Sequence, residues 1–130
     1  MTPIVVPVPG VFPYEQFGFT NCVRHGDVLY LSGVASLDAA GQVIGSDIEV
    51  QTIRTYANIE RILIAGGSRL DRILQMTSFV VDLGRNGQGY VATRAKILKQ
   101  PTYTSAVIGV SALMMSGLLV EVQCCAATSS

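Results

Sequence analysis

Charge is scarce in this chain of 130 residues: Asp, Glu, Lys and Arg together make up 14%, against about 25% in an average soluble domain. The nine basic and nine acidic residues cancel, which leaves neither the basic footprint of a nucleic-acid surface nor an acidic tail. Histidine occurs once, at His25 beside the Gly26-Asp27 turn, and reads as a surface residue and not as a catalytic base. Three cysteines, two of them adjacent at Cys124 and Cys125, offer no disulfide framework and no metal-ligand spacing. Inert thiols in the reducing cytosol are the expectation. No apolar run approaches the ~18 to 20 residues of a membrane span. Met1 to Pro13 has no basic cluster followed by an apolar core, so it does not read as a signal peptide. Its three early prolines, Pro3, Pro7 and Pro9, suggest an extended arm. The glycines between Gly84 and Gly89 do not follow a strand-to-helix phosphate fingerprint.

What is abundant is apolar surface, at 49% hydrophobic residues. The length suits one domain over residues 1–130. A chain this small has much surface to solvate, so its deficit of charge predicts that part of the surface meets other subunits. Phe19 to Arg24 and Val28 to Ser32 flank the Gly26-Asp27 turn and read as a hairpin. Ser46-Asp47-Ile48-Glu49 has the form of a capping box. The helix it opens presents Ile53, Tyr56, Ala57, Ile59, Leu63 and Ile64 as a buried stripe, and it ends at Gly66-Gly67. Ile73 to Val81 is a strand by composition, and Gly84 to Gly89 reads as a loop. A second helix is expected from about Tyr90 to Lys99, with Val91, Ala95 and Leu98 inward and Pro101 beyond its end. Strands near Tyr103 to Val110 and Leu118 to Ala127 follow. The predicted order is β-β-α-β-α-β-β, an α+β mixed sheet with two helices on one face. Two helices cannot cover both faces, so the other face needs another partner, for which a second subunit is the natural candidate.

One strand carries a chemical signal. Alternation puts Leu118, Val120, Val122, Cys124 and Ala126 on one face, and Leu119, Glu121, Gln123 and Cys125 on the other. A carboxylate and an amide in an apolar strand are costly to bury without partners. Either they face solvent on an edge strand, or they line a cleft or interface. In a partly dry cleft the Glu121 pKa rises, which suits a carboxyl to moving protons near neutral pH.

Several segments, taken in order and spacing, resemble the Rid (reactive intermediate deaminase, formerly YjgF) family. They are Phe17-Gly18-Phe19-Thr20-Asn21-Cys22-Val23-Arg24, Gly26-Asp27-Val28-Leu29-Tyr30-Leu31-Ser32-Gly33, Asp47 to Thr52, Ala65 to Asp71, and Gly117 to Val122. The resemblance covers much of Phe17 to Ala127. It implies a chorismate-mutase-like fold and a homotrimer with a cleft between each pair of subunits. It also implies hydrolysis of reactive 2-enamine or 2-imino acids to 2-keto acids, without a cofactor. In the deaminating members an arginine clamps the substrate carboxylate and a glutamate positions water.

Carried over by position, Glu121 takes the glutamate role, and Ser32 and Gly33 contribute to the cleft. Phe19 stands where the family has tyrosine, and Tyr90 where it has a helix asparagine. The family's arginine is absent. Alignment on Pro101 puts Tyr103 at that position, and alignment on Leu113 puts Ser105 there. Neither side chain replaces a bidentate guanidinium–carboxylate pair, worth on the order of a few kcal/mol. The implied cleft is aromatic and poorly charged, lined by Phe19, Ser32, Gly33, Tyr90, Tyr103, Ser105 and Gln123, with Glu121 as acid/base. Two functions follow: an enzyme acting on an imine, enamine or enolisable carbonyl, or a trimeric ligand-binding protein without catalysis. The ribonuclease activity sometimes ascribed to the family is disfavoured by the absence of a basic surface and of a His-based site. A small-molecule ligand and further copies of this chain are the expected partners.

Overall fold

The computed structural model describes residues 2–128, so Met1 of the expected arm lies outside the described residues. The strands are β1 (Ile4–Val5), β2 (Cys22–His25), β3 (Val28–Leu31), β4 (Val34–Ala35), β5 (Ile73–Val81), β6 (Thr104–Val110) and β7 (Val120–Ala127). The helices are α1 (Ile48–Ala65) and α2 (Leu83–Ile97), with single 3-10 turns at Glu15–Phe17 and Leu70–Arg72. All strands join one sheet in the order β1-β2-β3-β7-β5-β6, and β4 pairs β7. Only β5 and β6 run parallel, because α2 carries the chain back between them; the other pairs are antiparallel. The predicted order stands, with two short strands added. The arm contributes β1, where Ile4 pairs Arg24 and Val5 pairs Val23.

Both helices lie on one face. Tyr56, Ile59 and Leu63 of α1 and Tyr90 of α2 share a single core with Leu29, Met76, Val80, Val120 and Val122. Alternation in β7 follows the expectation, with Val120, Val122, Cys124 and Ala126 buried. The opposite face, in register with Glu121 and Gln123, carries no helix.

Three local expectations are corrected. The N-cap of α1 is Asp47, whose carboxylate accepts from the Val50 N–H at 2.9 Å; the Ser46 box does not form. The buried stripe of α1 is rotated from the expected one: Ile53, Ala57 and Ile64 are exposed, while Thr52, Thr55 and Ile62 are buried. Long-range hydrogen bonds set this rotation. Gln51 donates to the carbonyls of Gly45 and Gly117 and accepts from the Leu119 N–H. Asn58 donates to the carbonyls of Ala35 and Leu37.

The second helix begins at Leu83, so the segment read as a loop is helical. Asp82 turns the chain at φ 53, and the Asn86 side chain caps the Val81 carbonyl at 2.8 Å. A Cβ on Gly89 would come 2.9 Å from Cγ2 of Ile48, so glycine there permits the close approach of the two helices. The inward face of α2 is Asn86, Tyr90, Thr93 and Arg94, whereas Val91 and Ala95 are exposed. Leu98 is buried as expected.

The stop of α1 follows its sequence signal. Gly67 takes φ 84, its N–H bonds the Ile64 carbonyl, and the Ser68 N–H bonds the Leu63 carbonyl. That is a Schellman closure.

Candidate functional site

Among the described residues Glu121 is the only acidic residue within a strand. It sits mid-β7, in register with Phe79 of β5 and Ala35 of β4. Side chains in direct register share a face, so Glu121, Phe79 and Ile108 form one row of the helix-free face. Gln123, Thr77 and Ala106 form the next row, and Cys125, Gln75 and Thr104 the one after. A shallow cavity of about 210 Å³ on this face is bordered by Tyr30, Gln75, Thr77, Gln123 and Cys125.

A bulge gives Glu121 its setting. Tyr30 pairs Cys125 and Val34 pairs Val122, so Leu31, Ser32 and Gly33 face only Gln123 and Cys124. One extra residue in one strand bends it and re-aims side chains nearby. Ser32 locks the bulge to the preceding segment: its N–H bonds the Asn21 carbonyl at 3.0 Å and its hydroxyl donates to the Thr20 carbonyl at 2.6 Å. Gly33 lies against the Glu121 carboxylate so closely that a Cβ there would clash with Oε2. Burial raises the Glu121 pKa above the ordinary carboxyl value, since the anion loses water that the half-buried site does not replace.

Tyr14, which the sequence reading did not single out, completes the site. Its hydroxyl donates to the Gly33 carbonyl at 2.8 Å. Burial first, and the charge of Glu121 second, push its pKa up to about 12. Its ring lies 4.8 Å from that of Phe19, and Phe12 touches both Tyr14 and Phe17. The only local signal was the density of aromatic residues between Phe12 and Phe19.

Of the expected lining, the structure brings Phe19, Ser32, Gly33, Glu121 and Gln123 to one side of the molecule. It sets Tyr90, Tyr103 and Ser105 on the other. Tyr90 is fully buried in the core, bonded to the hydroxyls of Tyr56 at 2.6 Å and Ser78 at 2.5 Å. Ser105 is in register with buried Met76, hence on the helix-bearing side, and accepts from Arg94 Nη1 at 2.7 Å. Tyr103 packs against the same core, with the Arg94 guanidinium 5.5 Å from its ring centre. Of residues 103–105 it is the intervening Thr104 that shares the Glu121 face; parallel register with β5, invisible in sequence, decides this. Neither Arg94 nor Arg24 reaches that face. Arg94 is buried under the sheet between the Tyr90 and Tyr103 rings, and Arg24 is in register with core Leu29.

The thiols of Cys22 and Cys124 are buried, and their burial pushes them up to about 11 and about 12. His25 is exposed at the end of β2. Among the described residues no group of three or more His, Cys, Asp or Glu converges on a metal position, and no helix is long and apolar enough to cross a membrane.

Residues 12–128 match a family model described as Endoribonuclease L-PSP. A RutC family protein of Saccharolobus solfataricus is 38% identical over 72 residues, which are 55% of this chain and 53% of that protein. The aligned stretch therefore spans about half the length of that relative. The mitochondrial protein mmf1 of Schizosaccharomyces pombe is 26% identical over 96% of this chain and 75% of its own. The crystal structure of yeast YEO7 superposes with a TM-score of 0.89 at 20% identity, covering 98% of this chain and all of the other. At that identity the likeness concerns the fold.

Proposed function

On the premise that this chain belongs to the Endoribonuclease L-PSP (YjgF/Rid) family and has its chorismate-mutase-like α+β fold, we propose that it acts on a small imine, enamine or enolisable carbonyl compound. The reaction class is hydrolysis, tautomerisation or ring closure, run without a cofactor in a cleft between subunits of a homotrimer. The observation that carries the reading is Glu121: a half-buried carboxyl with a raised pKa, held against the Ser32-Gly33 bulge on the one sheet face that the helices leave bare. A carboxyl whose pKa is raised is a better proton donor reservoir than an ordinary glutamate and a stronger base once ionised. As an acid it protonates the nitrogen or carbon of the unsaturated system; as a carboxylate it draws a proton from the attacking water or from carbon. The neutral charge balance, nine against nine, supports a small-molecule ligand over RNA, whatever the family's description says. The cytosol is the proposed compartment, given three free thiols; a mitochondrial address, as for the S. pombe relative mmf1, suits the same thiol chemistry.

Simple 2-imino acids are expected to be poor substrates, because the positions that correspond to the family's arginine, Tyr103 and Ser105, carry no charge and neither Arg24 nor Arg94 shares the Glu121 face. An amino-acid oxidase generates such an imine in place, and its loss is followed with and without the protein. Strong acceleration would overturn this expectation; weak acceleration that rises in Thr104→Arg supports it. For a substrate that is turned over, Glu121→Gln is expected to abolish turnover with the fold intact. Undiminished turnover would remove Glu121 from the chemistry. The second reading, a trimeric binder without catalysis, draws its support from that same lack of a cation and is favoured if no imine, enamine or carbonyl is turned over while ligands still bind.

A further inference from the structure

The end of the sheet where β5 begins lies far from Glu121: Ile73 precedes Phe79, the register partner of Glu121, by about 20 Å of strand. An open hollow of about 350 Å³ is found there, with an apolar floor of buried Ile73, Leu74 and Ala127. Arg69, Arg72 and Thr102 stand around it. A second hollow of about 190 Å³ shares Asp71 with the first and adds Lys99. Three of the nine basic residues of the chain thus border these hollows, against Asp71 as the one acid. Asp71 is engaged by Arg69, whose Nε lies 3.2 Å from its Oδ1. Arg72 has no carboxylate within ion-pair distance among the described residues. In a chain whose charges cancel, a surplus of positive charge therefore stands beside apolar surface.

The platform under these arginines is fixed at both ends. Arg69 and Arg72 are one 3-10 turn apart, closed by the Arg72 N–H on the Arg69 carbonyl at 3.0 Å, and residues three apart in such a turn project to the same side. Before the turn, the buried Ser68 hydroxyl donates to the Ala127 carbonyl at 2.6 Å. After it, Ile73 pairs Ala126 and Gln75 pairs Cys125, so Leu74 bulges out of the ladder. Two guanidinium forks are thereby held over one hollow before any ligand arrives, the arrangement that multi-point recognition of an oxyanion requires.

We propose that this hollow is a second ligand site, for a small molecule that carries a doubly charged oxyanion on an apolar body, as a phosphate monoester does. Arg72 and Arg69 hold the oxyanion, the Thr102 hydroxyl donates to it, and the apolar body lies on Leu74 and Ala127. The site stands apart from Glu121 and does not depend on the chemistry assigned to that residue.

The test uses the full chain with phenyl phosphate, inorganic phosphate, benzoate and benzyl alcohol as probes, followed at low salt by NMR of the backbone amides and the arginine Nε–H groups. Phenyl phosphate is expected to give saturable shifts confined to Arg69, Arg72, Thr102 and their neighbours. Inorganic phosphate should bind several-fold more weakly, for want of the apolar contact, and benzoate more weakly, for want of the second charge. Benzyl alcohol should not bind. Arg72→Gln is expected to weaken phenyl phosphate about tenfold, the loss of one charge-assisted hydrogen bond. Arg85→Gln, beyond the other end of β5, should leave it unchanged. Unsaturable shifts shared with Arg54 and Arg85 mean diffuse screening and overturn the site. Benzoate binding as tightly as phenyl phosphate overturns the ligand class, and wild-type affinity in Arg72→Gln removes the arginine from the site. The shift map is read on the wild-type protein, so it decides the question even where the variant does not fold. A short oligoribonucleotide bound through the same residues more tightly than phenyl phosphate would replace the small ligand with a nucleic acid and overturn the proposal.

Discussion

Glu121 and Gly33 together show how much of this site is decided by contacts a few atoms wide. Because burial raises the Glu121 pKa, the folded state holds that proton more tightly than the unfolded chain does. The stabilising contribution of the neutral acid is complete below the unfolded value, about 4.3, and is lost as pH rises through the folded value. Glu121→Gln is therefore expected to melt with the wild type at pH 4 and above it at pH 8; thermal melts at the two values check the sign. Gly33→Ala makes the complementary test. The atoms nearest its Cβ would be Oε2, Cδ and Cγ of the flexible Glu121 side chain, so the melting temperature should change little while the carboxylate is pushed aside. Calorimetry and turnover of the same sample are expected to part company. Arg94 illustrates a charge whose function is packing. It has no carboxylate within ion-pair distance among the described residues and is satisfied by Ser105, Met76 and two aromatic rings.

Among the elements, turn and stop signals agree with the structure, whereas the buried faces of the helices do not follow the apolar periodicity. The hairpin at Gly26-Asp27, the strand Ile73–Val81 and the Gly66-Gly67 stop depend on residues within a turn of each other, and they stand as the sequence suggested. The start of α1 does not. Asp47 and Ser46 are adjacent candidates, and only the backbone direction chooses between them. Asp47→Ala is expected to cost about 1 kcal/mol, and Ser46→Ala close to nothing; chemical denaturation of the two variants distinguishes the caps. The glycines of α2 depart from their local signal for a related reason. Three of them in the first two turns argue against a helix by propensity, yet Gly89 lets α2 lie against Ile48 of α1, and tertiary packing overrides the local preference.

For the whole molecule the question is what covers the bare sheet face. Tyr30 is 51% exposed and Ile108 44% exposed on it, beside Phe79 and the row of Glu121 and Gln123. A bare face with Tyr30, Phe79 and Ile108 on it, in a chain this poor in charge, is expected to be buried between copies. Sedimentation at micromolar concentration is expected to give a trimer, and Ile108→Lys a smaller species with its fold retained. A wild-type monomer would contradict the assembly and, with it, the proposed inter-subunit cleft.

The sequence by itself determined the alternating faces of β7, the isolation of Glu121 among apolar neighbours and the general order of elements. Periodicity and turn chemistry are written within a few residues, so they survive without knowledge of the fold. Only the tertiary structure decided the rotation of α1, the side of the sheet on which Tyr103, Thr104 and Ser105 fall, and the presence of Tyr14 in the site. Each of those depends on atoms far apart in the chain: Gln51 on Gly117 and Leu119, Ser105 on Met76, Tyr14 on Gly33. No local pattern encodes such pairings, because their energy exists only once the sheet has brought the segments together.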